Sequence, residues 1–388
     1  MKYKILVYGA LCVAALLLTV CNGGGSDVAP NYSALLSGNY QVHQVGDAGA
    51  STVAVTETLR ADVTADGGGA GTMNIVGHSA GVTGSGAYGY AVAADRTFSI
   101  TTSVGTMVHG IVSASGNTFV LSDTNRTVST APPEDAGIVM VAGIKKASGL
   151  TNAVLSGNYQ IHQAGDAGAG AGLYTSRVDI TANGINAGSW NIAAHSAGVA
   201  GGEGTGGAFD YNVSAADGTF SVTTKDISSN VIGTDYGIIS ADGSLFVITD
   251  TNPNINPGIE DAEIVMAVGL KKSTGLTNAV LNGNYQINQV GKGAAGMYSA
   301  RVDISADGVG AGTWSIASHS AGDTGSGAFS YAVAADGTFS VTTKDATGTI
   351  TIGTDYGIVS ADGSLFAITD TVASDSDAEI VTAVGIRK

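Results

Sequence analysis

The segment GHSAG, Gly77–Gly81, has the G-x-S-x-G spacing that exposes a serine nucleophile on a strand-to-helix turn, with His78 directly before Ser79. The chemistry on offer would be ester hydrolysis, with serine as nucleophile and histidine as base. The motif recurs as AHSAG (Ala194–Gly198) and SHSAG (Ser318–Gly322), and both lose the first glycine. A strand pattern precedes each copy, and a glycine-rich loop and a further strand pattern follow, so the helical half of an elbow is missing. The segments therefore read as strand ends entering hairpin loops, and no catalysis is assigned to Ser79, Ser196 or Ser320. His78, His195 and His319 lie opposite the apolar parity of Met73 and Ile75, Trp190 and Ile192, and Trp314 and Ile316. That parity turns them toward polar surroundings, as candidate ligand contacts.

Arg60 and Asp62, Arg177 and Asp179, and Arg301 and Asp303 stand two apart, on one face of a strand. They read as solvated charge pairs; on a polar lumen, the arginines would become ligand contacts. His43 and His162 fall on the polar parity of the first strand, with Asn288 in the third copy. Joined to His78 and His195 they would give two metal ligands, short of the three protein ligands that zinc takes. They read as surface residues. Acidic residues gather in the last loop of each copy: Asp123, Glu134 and Asp135; Asp250, Glu260 and Asp261; Asp370, Asp375 and Asp377. Calcium favours several such oxygens, but EF-hand spacing is lacking. Asp123, Asp250, Asp370, Asp261 and Asp377 remain calcium candidates against a solvated loop. GDAGAGAG, Gly165–Gly172, shares only glycine content with a phosphate loop and lacks its lysine. No cofactor and no enzymatic activity are expected.

Composition bounds the partners. The net charge of -16 argues against nucleic acid and against electrostatic docking on anionic lipid. With 44% hydrophobic and 12% charged residues, the chain can bury cores and is not disordered. Its cysteines are Cys12 and Cys21, so disulfides do not staple the remainder.

The elements that must position these residues come in three copies. LLSGNYQVHQVGDAGA begins at Leu35, VLSGNYQIHQAGDAGA at Val154 and VLNGNYQINQVGKGAAG at Val280. From Gly38 to Gly157 is 119 residues and from Gly157 to Gly283 is 126, the length of a domain rather than of a solenoid repeat. The boundaries read as repeat 1 over 35–146, a linker over 147–153, repeat 2 over 154–272, a linker over 273–279 and repeat 3 over 280–388. Within each copy, aromatic and β-branched residues alternate with polar ones. In AFDYNVSAADGTFSVTTKD, Phe209, Tyr211 and Val213 share one parity and Phe220 and Val222 continue it after the turn. Asp-Gly and Asn-Gly pairs mark tight hairpins; Arg96 and Ser115-Gly116 replace two of them in the first copy. About eight strands per copy, starting in the third near Gly283, Tyr298, Gly312, Phe329, Thr338, Thr351, Leu365 and Glu379, form a meander. Closure removes its edges. The fold class is all-β: three separate up-and-down antiparallel barrels in tandem, with a single six-bladed propeller as the alternative.

MKYKILVYGALCVAALLLTVC opens with Lys2 and Lys4, then an apolar run from Ile5 to Val20, the layout of a secretory signal over 1–21. Its end, LTVC, resembles the lipobox of bacterial lipoproteins, although Val20 stands where Gly, Ala or Ser is usual. The resemblance implies lipidation at Cys21, and 22–34 (NGGGSD onward) reads as a flexible tether. Asn22 implies an outer-membrane destination in the bacterial cell envelope, on either its periplasmic or its surface face. The expected function is a non-enzymatic surface lipoprotein for binding, adhesion or envelope structure, with a protein, glycan or small molecule as partner. A carrier holding small ligands inside its barrels is the alternative, and a serine esterase comes third.

Overall fold

The computed structural model describes residues 31–47, 56–102, 107–124, 138–166, 173–196, 206–251, 264–293, 296–371 and 380–388. The signal-like segment, Cys21, Asp261 and Asp377 lie outside them. Repeat 1 forms β1 (Ser37–Asp47), β2 (Thr56–Asp66), β3 (Ala70–His78), β4 (Ser85–Val92), β5 (Thr97–Thr102), β6 (Met107–Val112), β7 (Thr118–Asp123) and β8 (Ile138–Lys145). Repeat 2 forms β9 (Ser156–Asp166), β10 (Leu173–Asn183), β11 (Ala187–His195), β12 (Gly206–Val213), β13 (Thr219–Lys225), β14 (Val231–Ile239), β15 (Leu245–Thr249) and β16 (Ile264–Lys271). Repeat 3 forms β17 (Asn282–Gly293), β18 (Gly296–Asp307), β19 (Ala311–His319), β20 (Ser326–Val333), β21 (Thr338–Lys344), β22 (Thr351–Val359), β23 (Leu365–Asp370) and β24 (Ile380–Arg387). Each set pairs in chain order and its last strand returns to its first, giving three closed eight-stranded antiparallel barrels. The propeller is excluded. Among the described residues, no helix is long and apolar enough to cross a membrane.

Tight turns gather at one end of every barrel. There a short 3-10 turn, Tyr32–Leu35 in the first copy, Asn152–Val154 in the second and Asn278–Leu281 in the third, leads into the first strand. The turn between β2 and β3 is organised by Asp66, whose Oδ1 accepts the backbone N–H groups of Gly68, Gly69 and Ala70. Those bonds hold its carboxyl below the usual range. Asp307 repeats the arrangement with Val309, Gly310 and Ala311, and Asn183 does so without charge. The longer connections all lie at the opposite end.

The barrels are not separate beads. β1 and β2 pack on β15 and β16, β9 and β10 on β23 and β24, and β17 and β18 on β7 and β8. We number these seams 1, 2 and 3. The faces differ on the two sides of a seam and the rotation closes after three steps, as a heterologous contact must if it is not to form a filament. One apolar cluster runs through all three barrels, including Val45, Met140, Ala164, Met266, Val290 and Val384. The cause is strands that are apolar on both faces. In β24, Val381 and Ala383 point inward while Ile380, Val384 and Ile386 join the shared cluster. All six residues of β7 are buried. Strands without alternation are buried on both sides.

Lysines tie the seams at the tight-turn end. Lys146 Nζ lies 2.9 Å from Asp62 of the first barrel and 3.1 Å from Asp217 of the second. Lys272 bridges Asp179 at 3.1 Å and Asp336 at 3.6 Å in the same way. Lys388 pairs at 2.7 Å with Asp303 of its own barrel.

Candidate ligand-binding site

Period-two alternation directs one face of every strand into its barrel. At the tight-turn end that face builds an aromatic floor. Tyr285 meets Phe366 at 5.2 Å between ring centroids, and Phe366 meets Phe339 edge-on at 6.0 Å. Tyr159, Phe246 and Phe220 repeat the stack, as do Tyr40, Phe119 and Phe98. The rings need glycine opposite them: a Cβ on Gly385 would sit 2.2 Å from Phe366, and one on Gly269 2.1 Å from Phe246. The tyrosine hydroxyls reach the neighbouring turn, Tyr285 donating to Gly363 O at 2.9 Å and Tyr159 to Gly243 O at 2.9 Å. Burial raises the phenol pKa values, that of Tyr40 to about 12.

Above the floor the inward residues are smaller and space remains. The third barrel encloses a cavity of about 280 Å³ lined by Ile287, Val302, Ile304, Trp314, Val341 and Ile368, among others. The second encloses about 190 Å³ against Ile161, Val178, Trp190, Phe220, Val222 and Ile248. An eight-stranded barrel is just wide enough to be filled by side chains or to hold one small ligand. Each tryptophan lies over a glycine of the next strand, donating Nε1–H across it: Trp190 to Lys225 O at 3.0 Å and Trp314 to Lys344 O at 3.1 Å. In the first barrel Met73 takes this position. Polar groups mark the end with the long connections: Gln289, His319, Asp323, Thr343, Asp355 and Asp370 in the third barrel, Gln163, Thr224 and Asp235 in the second. The alternation identified the aromatic members of this lining, Trp190 and Trp314 included, but it did not single out Gln163, Gln289, Asp235 or Asp355.

The histidines of the repeated motif face the opposite way from their sequence parity. A β-bulge interrupts the register between Arg60 and Ala61, between Arg177 and Val178, and between Arg301 and Val302. The extra residue on the facing strand shifts the alternation by one. His78 and His319 therefore oppose the inward Leu59 and Ala300, and His319 lines the same lumen as Trp314 and Ile316. His195 stacks on Tyr174 at 4.6 Å and His319 on Tyr298 at 4.7 Å; His78 instead lies 3.5 Å from the Glu57 carboxylate. Burial lowers the pKa of His78.

The serines beside them are structural. Thr58 N donates to Ser79 Oγ at 3.0 Å and Ser79 N returns a bond to Thr58 O at 3.0 Å. Ser196 and Ser320 clasp Thr175 and Ser299 in the same manner. The Nδ1 atoms of His78 and His319 accept the backbone N–H groups of Ala80 and Ala321, at 2.9 and 3.1 Å. These atoms are engaged in closing the turn. β3, β11 and β19 end at the histidines, as the strand-end reading requires.

The arginines do not line a lumen and are not solvated pairs with their neighbouring aspartates. They occupy the seams. The Arg60 guanidinium carbon lies 4.4 Å from the Tyr236 ring centroid across seam 1, and Arg177 lies 4.3 Å from Tyr356 across seam 2. Arg301 faces His109 across seam 3 and lowers its pKa, second to burial. His43 and His162 keep the outward parity expected of them, yet both are fully buried. They face the seams, whereas His78 faces a lumen, so no histidine pair forms. Asp123, Asp250 and Asp370 end three different barrels' strands or follow them directly, and no group of three or more potential metal ligands gathers among the described residues.

Comparison with known proteins adds little. No family model matches the chain, and no curated protein matches it. Among solved structures, it aligns with a variant of the vaccine antigen transferrin binding protein B from Haemophilus parasuis at 10% identity and a TM-score of 0.25, over 90% of this chain and 75% of that one. Isotype 1 transferrin binding protein B from serogroup B Neisseria meningitidis gives 9% identity and a TM-score of 0.25, over 90% and 76%. At those TM-scores neither likeness bears on function.

Proposed function

We propose that the protein is a non-enzymatic binding protein of the bacterial envelope whose second and third barrels each carry a small apolar ligand in the lumen. The observation that carries this reading is the pair of apolar cavities, floored at one end by aromatic rings and bordered at the other by polar side chains. At about 280 and 190 Å³ they fall below the range of about 300–1,000 Å³ usual for drug-sized ligands, which favours a medium-length aliphatic chain or a small ring system over a whole lipid. No lysine or arginine lines either lumen among the described residues, so a neutral or cationic head group suits it better than a carboxylate. The serine clasps speak against an esterase. Lipidation at Cys21 would tether the ring to the membrane through 22–34.

Calorimetric titration with octan-1-ol tests the reading. Two sites per chain and a negative heat-capacity change are expected. Val222→Trp together with Val341→Trp fills both lumens and removes both sites. Binding undiminished in that double variant would refute luminal carriage.

A further inference from the structure

The three seams are built from equivalent positions, so each serves as a control for the others. In seam 1 a relay crosses between barrels. Gln41 Nε2 donates to Asp62 Oδ1 at 3.4 Å, which orients the amide so that its Oε1 accepts His43 Nε2–H at 3.1 Å; Thr249 Oγ1–H then donates to His43 Nδ1 at 2.5 Å. Seam 2 repeats it through Asp179, Gln160, His162 and Thr369, with the imidazole 2.7 Å from the threonine. Beside each histidine, an arginine on the adjacent strand covers a tyrosine from the other barrel.

Seam 3 carries shorter residues at three of these positions: Asn288 for histidine, Ser122 for threonine and His109 for tyrosine. Asn288 is 0% exposed and Ser122 1%. Both side-chain atoms of the Asn288 amide, Ser122 Oγ and Gln286 Oε1 lack a hydrogen-bond partner. A buried polar atom without a partner keeps the full cost of its lost hydration, so four such atoms at one interface call for a bridging group. They include donors and acceptors, and three truncations together leave room. Water meets both requirements, because it donates and accepts and needs two to four polar partners. Seam 3 is also the seam without a linker, since repeats 3 and 1 are not consecutive in the chain.

We infer that seam 3 is a hydrated joint, in which water spans Gln286, Asn288 and Ser122 where an imidazole spans the other seams, and that the ring opens there first. The arginine stack is lost as well, because Arg301 faces His109, a second donor-bearing side chain. Among the described residues this seam is crossed by the shared apolar cluster, the Thr124–Ser318 hydroxyl pair at 2.6 Å, a bond from Ser299 Oγ to Asp123 O and a contact from Thr56 Oγ1 to Met297 Sδ at 3.8 Å.

Single cysteines test this in the full chain carrying Cys12→Ser and Cys21→Ser. Ser122→Cys, Thr249→Cys and Thr369→Cys place a thiol at the same position in each seam, and native-state labelling measures how often each seam opens. Labelling at position 122 is expected at least tenfold faster than at 249 or 369. The comparison is biased against that result, since the two threonine replacements also remove their own seam's donor. Asn288→His with His109→Tyr should slow labelling at 122 toward the others. A high-resolution crystal structure should show water between Asn288 and Ser122 and none in seams 1 and 2. Equal labelling at the three positions, or a dry seam 3, would overturn the inference.

Discussion

Arg96 adopts φ +69°, where the other copies place Gly218 and Gly337 at +78° and +88°. A side chain in the left-handed region costs about 1 kcal/mol, and burial, followed by repulsion from Arg387, lowers the pKa of Arg96. Arg96→Gly should therefore raise the urea midpoint, gaining up to about 1 kcal/mol after the extra unfolded-state entropy of glycine is counted. A loss of stability would show that the arginine side chain contributes more than its backbone costs. The turn itself was legible from its Asp-Gly counterparts. Ser79, Ser196 and Ser320 teach the opposite lesson: five residues matched a catalytic spacing, while their bonding partners lie 21 residues away on the adjacent strand.

The first strand of each copy shows what an element's face does for stability against pH. β1 and β9 bury His43 and His162 in seams, and burial pushes both pKa values down, His162 to about 3, with the adjacent arginine adding to the effect. A folded pKa below the unfolded 6.5 means that the unfolded chain binds more protons in the interval. The neutral relay thus stabilises fully above pH 6.5 and is lost as pH falls toward the folded value, with a slope of about 1.4 kcal/mol per pH unit for each proton. Urea unfolding from pH 7 to 4 should show that decline, and His43→Asn with His162→Asn should flatten most of it, leaving the smaller shares of His78 and His109. An unchanged slope would mean that the buried imidazoles are not its source. Strand starts, hairpins and closure were readable at this scale, since all eight predicted starts in the third copy fall within three residues of those observed. Facing was less so. The bulge opposite Arg60, Arg177 and Arg301 inserts one residue without any change in composition, and it reversed the assignment of His78, His195 and His319.

At the scale of the whole molecule, tandem repetition produced a closed ring, and the reading of three independent beads missed it. The sign was present in TFVLSD and IVMVAGIKK, which are apolar on both parities, but which barrel would cover which face depends on contacts more than a hundred residues apart, as between His43 and Thr249. The ring fixes three lumens side by side with their long connections at one end, and it gives the arginines a structural task. The account's central claim concerns those lumens. Trp190 and Trp314 are the chain's two tryptophans, and both border a cavity. Energy transfer from them to N-phenyl-1-naphthylamine in the full-length protein therefore reports directly on luminal binding. Saturable transfer at two probes per chain, with displacement by octan-1-ol, is the predicted result. Probe binding without transfer from the tryptophans, or no saturable binding at all, would contradict it.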